Sequence, residues 1–354
     1  MQMVNKEKIG ILIAVRMKSE RLASKAFGDI VGKPVIVHLI DRMKQVQNAG
    51  KIVLCTSTHP DDQVLLDVAE QEGILKFAGS ELDVMERFIE AAVANNLEYV
   101  VRVTGDNPLT DPANIDQLIE EHIEGDFDFS KSEYLPLGVN AEVISLTTLE
   151  KAHSMALDTN LTEYMTSYLK RPDIFKVHSL ENTESFYQGR GLIRLTVDFD
   201  EDLQVMKHIY GALYENNPNF TIGEVLEFID DNPDIMKIND NMLEIPLPKI
   251  RFSNEKEYTK KIVILGRDLS GANAERINQL RELDEYEITG FVYYQSNLQY
   301  SLVDGIPTIG DCEHIERLKI DADYFFLTFE EDELRKRFQR QLINKGLTEV
   351  VIEA

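Results

Sequence analysis

The chain has 354 residues, a net charge of −25, 43% hydrophobic residues and 28% charged ones. That length suits two or three domains, and the composition is ordinary for a protein that buries real cores. A pI near 4.7 argues against a sequence-independent grip on nucleic acid, which needs a basic face, and against binding to anionic membrane surfaces.

No run of about 18 apolar residues occurs, so no transmembrane helix is expected. Met1-Gln2-Met3-Val4-Asn5-Lys6 lacks the apolar core of a signal peptide. Cys55 and Cys312 stand alone and far apart, which predicts a reducing, cytoplasmic setting without a disulfide framework.

Residues 9–15 form a continuous apolar run rich in β-branched residues, the pattern of a strand buried in a parallel sheet. A basic stretch follows, with Arg16, Lys18, Arg21, Lys25 and Lys33 against only Glu20 and Asp29. Such an island in an acidic region suits a bound polyphosphate, and equally suits a solvated loop. Val35, Leu39 and Met43 predict a helix over 34–45, and residues 51–55 read as a second strand. His59-Pro60-Asp61-Asp62 opens another helix, with Asp61 or Asp62 in its first turn and Val64, Leu65, Val68 and Ala69 inward. A strand at 75–77, a helix at 82–95 and a strand at 99–103 follow, the last ending at Thr104-Gly105-Asp106-Asn107-Pro108.

Strands alternating with helices of this length predict a parallel, doubly wound α/β sheet, whose ligands bind at the carboxyl ends of the strands. The basic loop and Gly105-Asp106 both fall on that edge. A further apolar strand is expected at 194–197. Near Asn241 the pattern weakens, and Ile245-Pro246-Leu247-Pro248 with the polar stretch after Phe252 predicts a linker over 246–260. It separates residues 1–245 from a smaller α/β unit over 261–354. That unit opens with a strand at 261–265, a turn at Gly266-Arg267-Asp268-Leu269-Ser270-Gly271 and a helix through Ala274, Ile277, Leu280 and Leu283. Strands at 288–293 and 324–329 follow.

The amides of the loop over 14–25 can cradle phosphates, and Arg16 and Lys25 can neutralise charge on a departing pyrophosphate. Asp106 can hold Mg²⁺, or can simply cap the turn at Asn107-Pro108. Asp198 invites the same two readings, as a second metal ligand or, with Asp200 and Asp202, as an acid favouring a helix N-terminus. Two carboxylates ending neighbouring strands would make a metal site facing phosphate. The histidines and cysteines form no zinc-ligand spacing, no Gly-x-Ser-x-Gly elbow occurs, and Gly266–Gly271 reads as a structural turn. Asp126-Phe127-Asp128 and Asp198-Phe199-Asp200 both have the Asp-x-Asp form that a glycosyltransferase uses for its metal.

Five blocks carry a family resemblance. They are Ala14-x-Arg16-x-x-Ser19-x-Arg21-Leu22-x-x-Lys25 with Gly32-Lys33-Pro34, then Gly79 to Arg87, Arg102 to Leu109, Gly138 to Val143, and Arg194 to Asp198. Through them residues 9–215 resemble the cytidylyltransferases that make CMP-activated acidic sugars, most closely the branch of spore-coat polysaccharide biosynthesis proteins. The resemblance implies a mostly parallel sheet of the nucleotide-diphospho-sugar transferase type and a homodimer. It also implies CTP held by Ala14, Val15, Arg16, Ser19, Arg21, Lys25, Gly105 and Asp106, and Mg²⁺ held by Asp106 and Asp198. CMP would pass from CTP to an acidic sugar with release of pyrophosphate, for surface glycan biosynthesis.

On the acceptor side the candidates are Asp83, Arg87, Asn140, Glu142 and Glu163; Asp83 and Arg87 equally suit an i,i+4 surface pair. Ala23-Ser24 stand where the family usually has Pro-Gly, Asn140 where Asp is common, and Tyr164 where His is common. Asn140 and Tyr164 suggest an altered acceptor or weakened activity, Ala23-Ser24 bears on loop geometry and phosphate approach, and Ala23-Ser24 with Tyr164 keeps a non-catalytic nucleotide-binding protein as a rival reading. Gly290-Phe291-Val292 and Gly305-Ile306-Pro307-Thr308-Ile309-Gly310 resemble the Rossmann-like N-terminal domain of sugar acyltransferases, without its usual Gly-x-Gly-Gly turn.

Overall fold

A computed structural model describes residues 5–17, 25–182, 185–187, 189–240, 250–253, 260–267, 272–282, 286–294, 302–303, 306–318, 320–329 and 331–350. Ser19, Arg21, Ala23 and Ser24 of the basic loop, residues 268–271, Leu283 and Gly305 lie outside the described residues. The chain divides into two compact units, residues 1–254 and 255–354.

In the first unit β1 (Ile9–Ala14) is followed by a short antiparallel hairpin, β2 (Asp29–Ile30) with β3 (Lys33–Pro34). Then come α1 (Val35–Met43), β4 (Lys51–Ser57), α2 (Gln63–Gln71), β5 (Leu75–Gly79), α3 (Val84–Ala94) and β6 (Tyr99–Thr104). The unit continues with α4 (Pro112–Glu124), β7 (Phe129–Ser132), β8 (Glu142–Ser145), α5 (Leu146–Met155), α6 (Met165–Leu169) and β9 (Val177–Leu180). Two further helices, α7 (Asp200–Leu213) and α8 (Ile222–Asp231), complete it.

The main sheet has the order β5-β4-β1-β6-β8-β7-β9. It is parallel from β5 to β6, while β8 runs antiparallel to both β6 and β7, so the sheet is mixed beyond β6. Helices α1, α2 and α4 cover one face through residues such as Ile36, Leu65 and Leu118. Helices α3, α5 and α6 cover the other through Phe88, Leu149 and Tyr168. Cover on both faces is why β1 reads as an unbroken apolar run. Val64 departs from expectation: it is exposed, and α2 turns Leu65, Val68 and Ala69 inward.

The chain steps outward from β1 to β4 and β5, then returns to β6 on the far side of β1. This reversal leaves a crevice at the carboxyl ends of β1 and β6, where such sheets bind ligands. A third apolar cluster joins α7 and α8 to Leu109, Val139, Leu195 and Val197. Residues 194–197 therefore do not add a strand to the main sheet as expected. They lie in an extended segment held by the Leu137–Arg194 bridge and by a bond from the Val197 N–H to the Asp106 carbonyl, 2.9 Å. Their apolar pattern reflects burial in the third cluster. Phe252, expected in the linker, is only 1% exposed and packs in the α3/α5/α6 core, so the first unit reaches past residue 250.

The second unit contains β10 (Lys260–Gly266), α9 (Ala272–Glu282), β11 (Tyr286–Tyr293), β12 (Leu302–Val303), β13 (Ile306–Asp311), β14 (Tyr324–Leu327), α10 (Asp332–Asn344) and β15 (Thr348–Glu349). Its sheet order is β12-β13-β11-β10-β14-β15, parallel except for β12. Val263, Leu265, Phe325 and Phe338 form one core face, and Ile262, Ile264, Ile277 and Phe291 the other. Among the described residues no helix is long and apolar enough to cross a membrane.

Candidate active site

The crevice begins where β1 and β6 end side by side, with Ala14 paired to Thr104. The Gly105 N–H continues the ladder onto the Ala14 carbonyl at 2.8 Å, while the Val15 N–H donates to Cys55. A Cβ on Gly105 would stand 2.7 Å from the Val15 Cβ, so only glycine permits this approach. Asp106 follows at the rim.

Lys25, Asp106 and Asp198, taken from three separate parts of the sequence, meet here. The Lys25 Nζ donates to Asp106 Oδ2 at 2.5 Å and to Asp198 Oδ1 at 3.0 Å. Burial works to lower the lysine pKa, but the two carboxylates outweigh it and hold it above its ordinary value. Burial would likewise raise the Asp106 pKa; the Lys25 charge and its hydrogen bond, with help from Thr104, hold it below the ordinary carboxylate value. The two acids thus already converge on one small cation. Hard carboxylate oxygens in that arrangement fit Mg²⁺, which takes one or two carboxylates and completes its shell with phosphate oxygens and water. No cluster of three or more His, Cys, Asp or Glu ligands occurs among the described residues.

Asp198 is positioned by a network whose centre, Asp202, has no exposed surface. Arg194 donates from Nη2 to Asp198 Oδ2 at 2.9 Å, and it grips Asp202 through Nε at 2.9 Å and Nη2 at 3.0 Å. Asp202 also accepts from the backbone N–H groups of Asp198 and Phe199 and from Asn239. Burial alone would raise the Asp202 pKa, and these donors bring it below the ordinary value. The expected helix-start acid is there, since Asp202 closes the first turn of α7. Its orienting of Asp198 was not expected.

Asp62 anchors the start of the basic loop. Its Oδ1 accepts the Met17 N–H at 2.7 Å, and its Oδ2 accepts the Ser57 N–H and hydroxyl. Arg16 donates to the Glu81 carbonyl at 2.8 Å and pairs with Glu163 at 3.0 Å. Arg87 is 1% exposed and donates to the carbonyls of Ser80 and Glu81; burial, then the Arg16 charge beside it, pushes its pKa down.

Asp83 and Arg87 are therefore not a surface pair. Asp83 caps α3 by accepting the Glu86 N–H at 2.9 Å, and it also engages Thr162 at 2.8 Å and His153 at 2.7 Å. Both residues brace the turn at 80–83 against which Arg16 rests.

Next to the crevice lies a second polar group. Arg102 on β6 faces its register partner Glu142 on β8 at 2.9 Å, and the other Glu142 oxygen accepts from Thr166 at 2.5 Å, with Lys131 3.9 Å away. Glu142 is buried. Asn140 is two residues before Glu142, ahead of β8; its Oδ1 is buried without a hydrogen-bond partner, as is the Arg102 Nε. Gly138 supports this stretch with φ +91°, and a Cβ there would strike the Leu195 carbonyl oxygen at 2.3 Å. The Asp126-Phe127-Asp128 motif is elsewhere: it precedes β7, at the amino end of that strand, and Asp128 accepts from Thr148 and the Lys176 N–H. In the second Asp-x-Asp sequence, Asp200 is exposed while Asp198 faces Lys25.

A mostly parallel α/β sheet with helices on both faces is the architecture of nucleotidyltransferases of the nucleotide-diphospho-sugar transferase type. The cytidylyltransferase family profile matches residues 10–229, and the chain belongs to that family. It is 29% identical over 229 residues to the spore coat polysaccharide biosynthesis protein SpsF of Bacillus subtilis, covering 63% of this chain and 94% of that protein. It is 26% identical over 201 residues to a 3-deoxy-manno-octulosonate cytidylyltransferase of Chloroherpeton thalassium, covering 56% of this chain and 70% of the relative. A cytidylyltransferase structure from Leptospira borgpetersenii serovar Hardjo-bovis superposes with a TM-score of 0.61 at 26% identity, covering 68% of this chain and 99% of that one.

Proposed function

We propose that the protein transfers CMP from CTP to an acidic sugar, with release of pyrophosphate, as a cytoplasmic, Mg²⁺-dependent homodimer in surface glycan biosynthesis. The observation that carries this reading is the convergence of Asp106 and Asp198 on the ammonium of Lys25, a residue of the phosphate-side loop. Membership of the family supports CTP as donor, and the two named relatives support a sugar acid destined for a glycan.

Phosphoryl-type transfer asks little covalent work of a protein, so positioning and charge carry the acceleration. Asp106 and Asp198 would hold Mg²⁺, which would supply charge neutralisation at the α-phosphate. Arg194 and Asp202 keep Asp198 facing inward. Lys25 and Arg16 would neutralise charge on the departing pyrophosphate. Asn140 and Glu142, backed by Arg102, face the acceptor, and Glu163 links that side to Arg16.

The glycosyltransferase reading is weaker, because Asp126-Phe127-Asp128 is at the other end of the strands and Asp200 is exposed. The test is CTP-dependent pyrophosphate release across a panel of octulosonic and nonulosonic acids. Release with at least one acid is expected; sugar transfer from a CDP- or UDP-sugar without pyrophosphate release would overturn the proposal. Calorimetry showing CTP binding unaffected by Mg²⁺, with no turnover, would favour the non-catalytic rival.

A further inference from the structure

We infer that Lys25 is a built-in counter-ion that must leave the carboxylate pair before a divalent cation enters, so that metal and nucleotide binding are coupled through this one side chain. The inference rests on the nucleotidyl-transfer reading and adds an order to it. In the cluster the side chains of Lys25, Asp106 and Asp198 are 17%, 18% and 11% exposed, so water screens them poorly. Arg194 is already balanced by the fully buried Asp202. Lys25 is then the only cation bonded to both catalytic carboxylates among the described residues, one bond to each.

A divalent ion held by Asp106 and Asp198 would engage the same two carboxylates as the present ammonium, and two cations that close repel strongly in a low-dielectric site. The lysine side chain is long and flexible enough to swing away. Swung away without a partner, it would lose two charge-assisted bonds in a partly buried place. A triphosphate removes that penalty, because its oxygens both receive the ammonium and complete the metal shell. Metal alone should therefore bind weakly, and metal with CTP much more tightly, a coupling that is reciprocal by linkage.

The experiment is Mn²⁺ binding followed by electron paramagnetic resonance, with and without CTP and with chelation by free CTP subtracted. Four proteins are compared: wild type, Lys25→Gln, Lys25→Arg and Arg16→Gln. Without nucleotide, Lys25→Gln should bind Mn²⁺ about tenfold more tightly than wild type or more, and its gain on adding CTP should shrink correspondingly. Lys25→Arg keeps the charge and should stay weak. Arg16→Gln removes a loop charge that does not touch the carboxylates and should change affinity by less than about threefold.

Should Lys25→Gln fail to fold, amine labelling of wild-type Lys25 read by mass spectrometry serves instead. The lysine should be protected in the metal-free protein, reactive with Mn²⁺ alone and protected again with Mn²⁺ and CTP. The inference is overturned if Lys25→Gln binds Mn²⁺ no more tightly than wild type, or if saturating Mn²⁺ leaves labelling unchanged. Because these comparisons are made without nucleotide, they stand apart from the proposed activity, which fails instead if no acid yields pyrophosphate.

Discussion

Both units build a largely parallel sheet that reverses direction beside its first strand, β1 in one and β10 in the other, and the two resulting edges are filled differently. In the first unit the edge holds buried and half-buried charges: Lys25 meets Asp106 and Asp198 from distant segments, and Arg194 and Asp202 stand beside Asp198. In the second, the described residues at that edge bond through their own backbone and pack aromatic rings. Thr328 returns both its N–H and its hydroxyl to Leu265, Tyr294 donates to Gly266, and Phe329 stacks on Phe338. Among its described charged residues, Arg267 lies over Tyr294 and pairs with Glu331, both partners about half exposed. Strand order creates an opening in each case. Chemistry requires charges that the fold buries and still leaves pointing into it.

The largest test of that contrast is Asp106→Asn. Turnover should fall by about a thousandfold, the scale of losing a preorganised charge, while circular dichroism and melting stay near wild type. Near-normal activity would remove Asp106 from the site. Next, Asp202→Ala leaves Arg194 with Asp198 alone and the Asp198 and Phe199 N–H groups without their acceptor, and should cost about 1–3 kcal/mol in urea unfolding. A loss below about 1 kcal/mol would show that the network tolerates its absence.

Gly138→Ala forces a left-handed backbone and a contact with Leu195, costing roughly 1–3 kcal/mol of strain, and should lower turnover because segment 194–198 shifts. A smaller effect should come from acid. Asp106 and Asp202 have folded pKa values below their ordinary ones, so the unfolded chain binds protons first. The stability they contribute is full above the ordinary carboxylate value near 4 and is lost as pH falls through their lower folded values. Urea midpoints should hold steady from pH 7 to 5 and drop below pH 4, less steeply in Asp202→Asn. The least change is expected from Arg267→Ala, which should leave pyrophosphate release intact. A large loss would show that the second unit's edge takes part in turnover.

Much of the first sheet is legible in the amino-acid order, because β1, β4 and β6 are apolar runs separated by helical spacing. Lys25, Asp106 and Asp198, which meet through two hydrogen bonds, fall within recognisable blocks. The support behind them is not legible. Asp200, Glu201 and Asp202 look alike at a helix start, and only packing turns Asp202 inward; an arginine opening an otherwise apolar run at 194 was the available hint. Asp61 and Asp62 pose the same ambiguity, resolved when Asp62 meets Met17 across 45 residues. The run at 194–197 misleads because burial, whatever its source, looks like a strand. Phe252 misleads in the opposite sense, as one aromatic in a polar stretch that docks into a core.

One bond has a use for protein engineering. The Val197 N–H reaches the Asp106 carbonyl through the main chain alone, so the distance between the segments carrying the two acids does not depend on the acids themselves. A library that varies positions 106 and 198 together would keep its frame. Metal preference could then be tuned by donor chemistry, Asn, Glu or His in place of either aspartate, without re-solving the geometry of the loop that presents them.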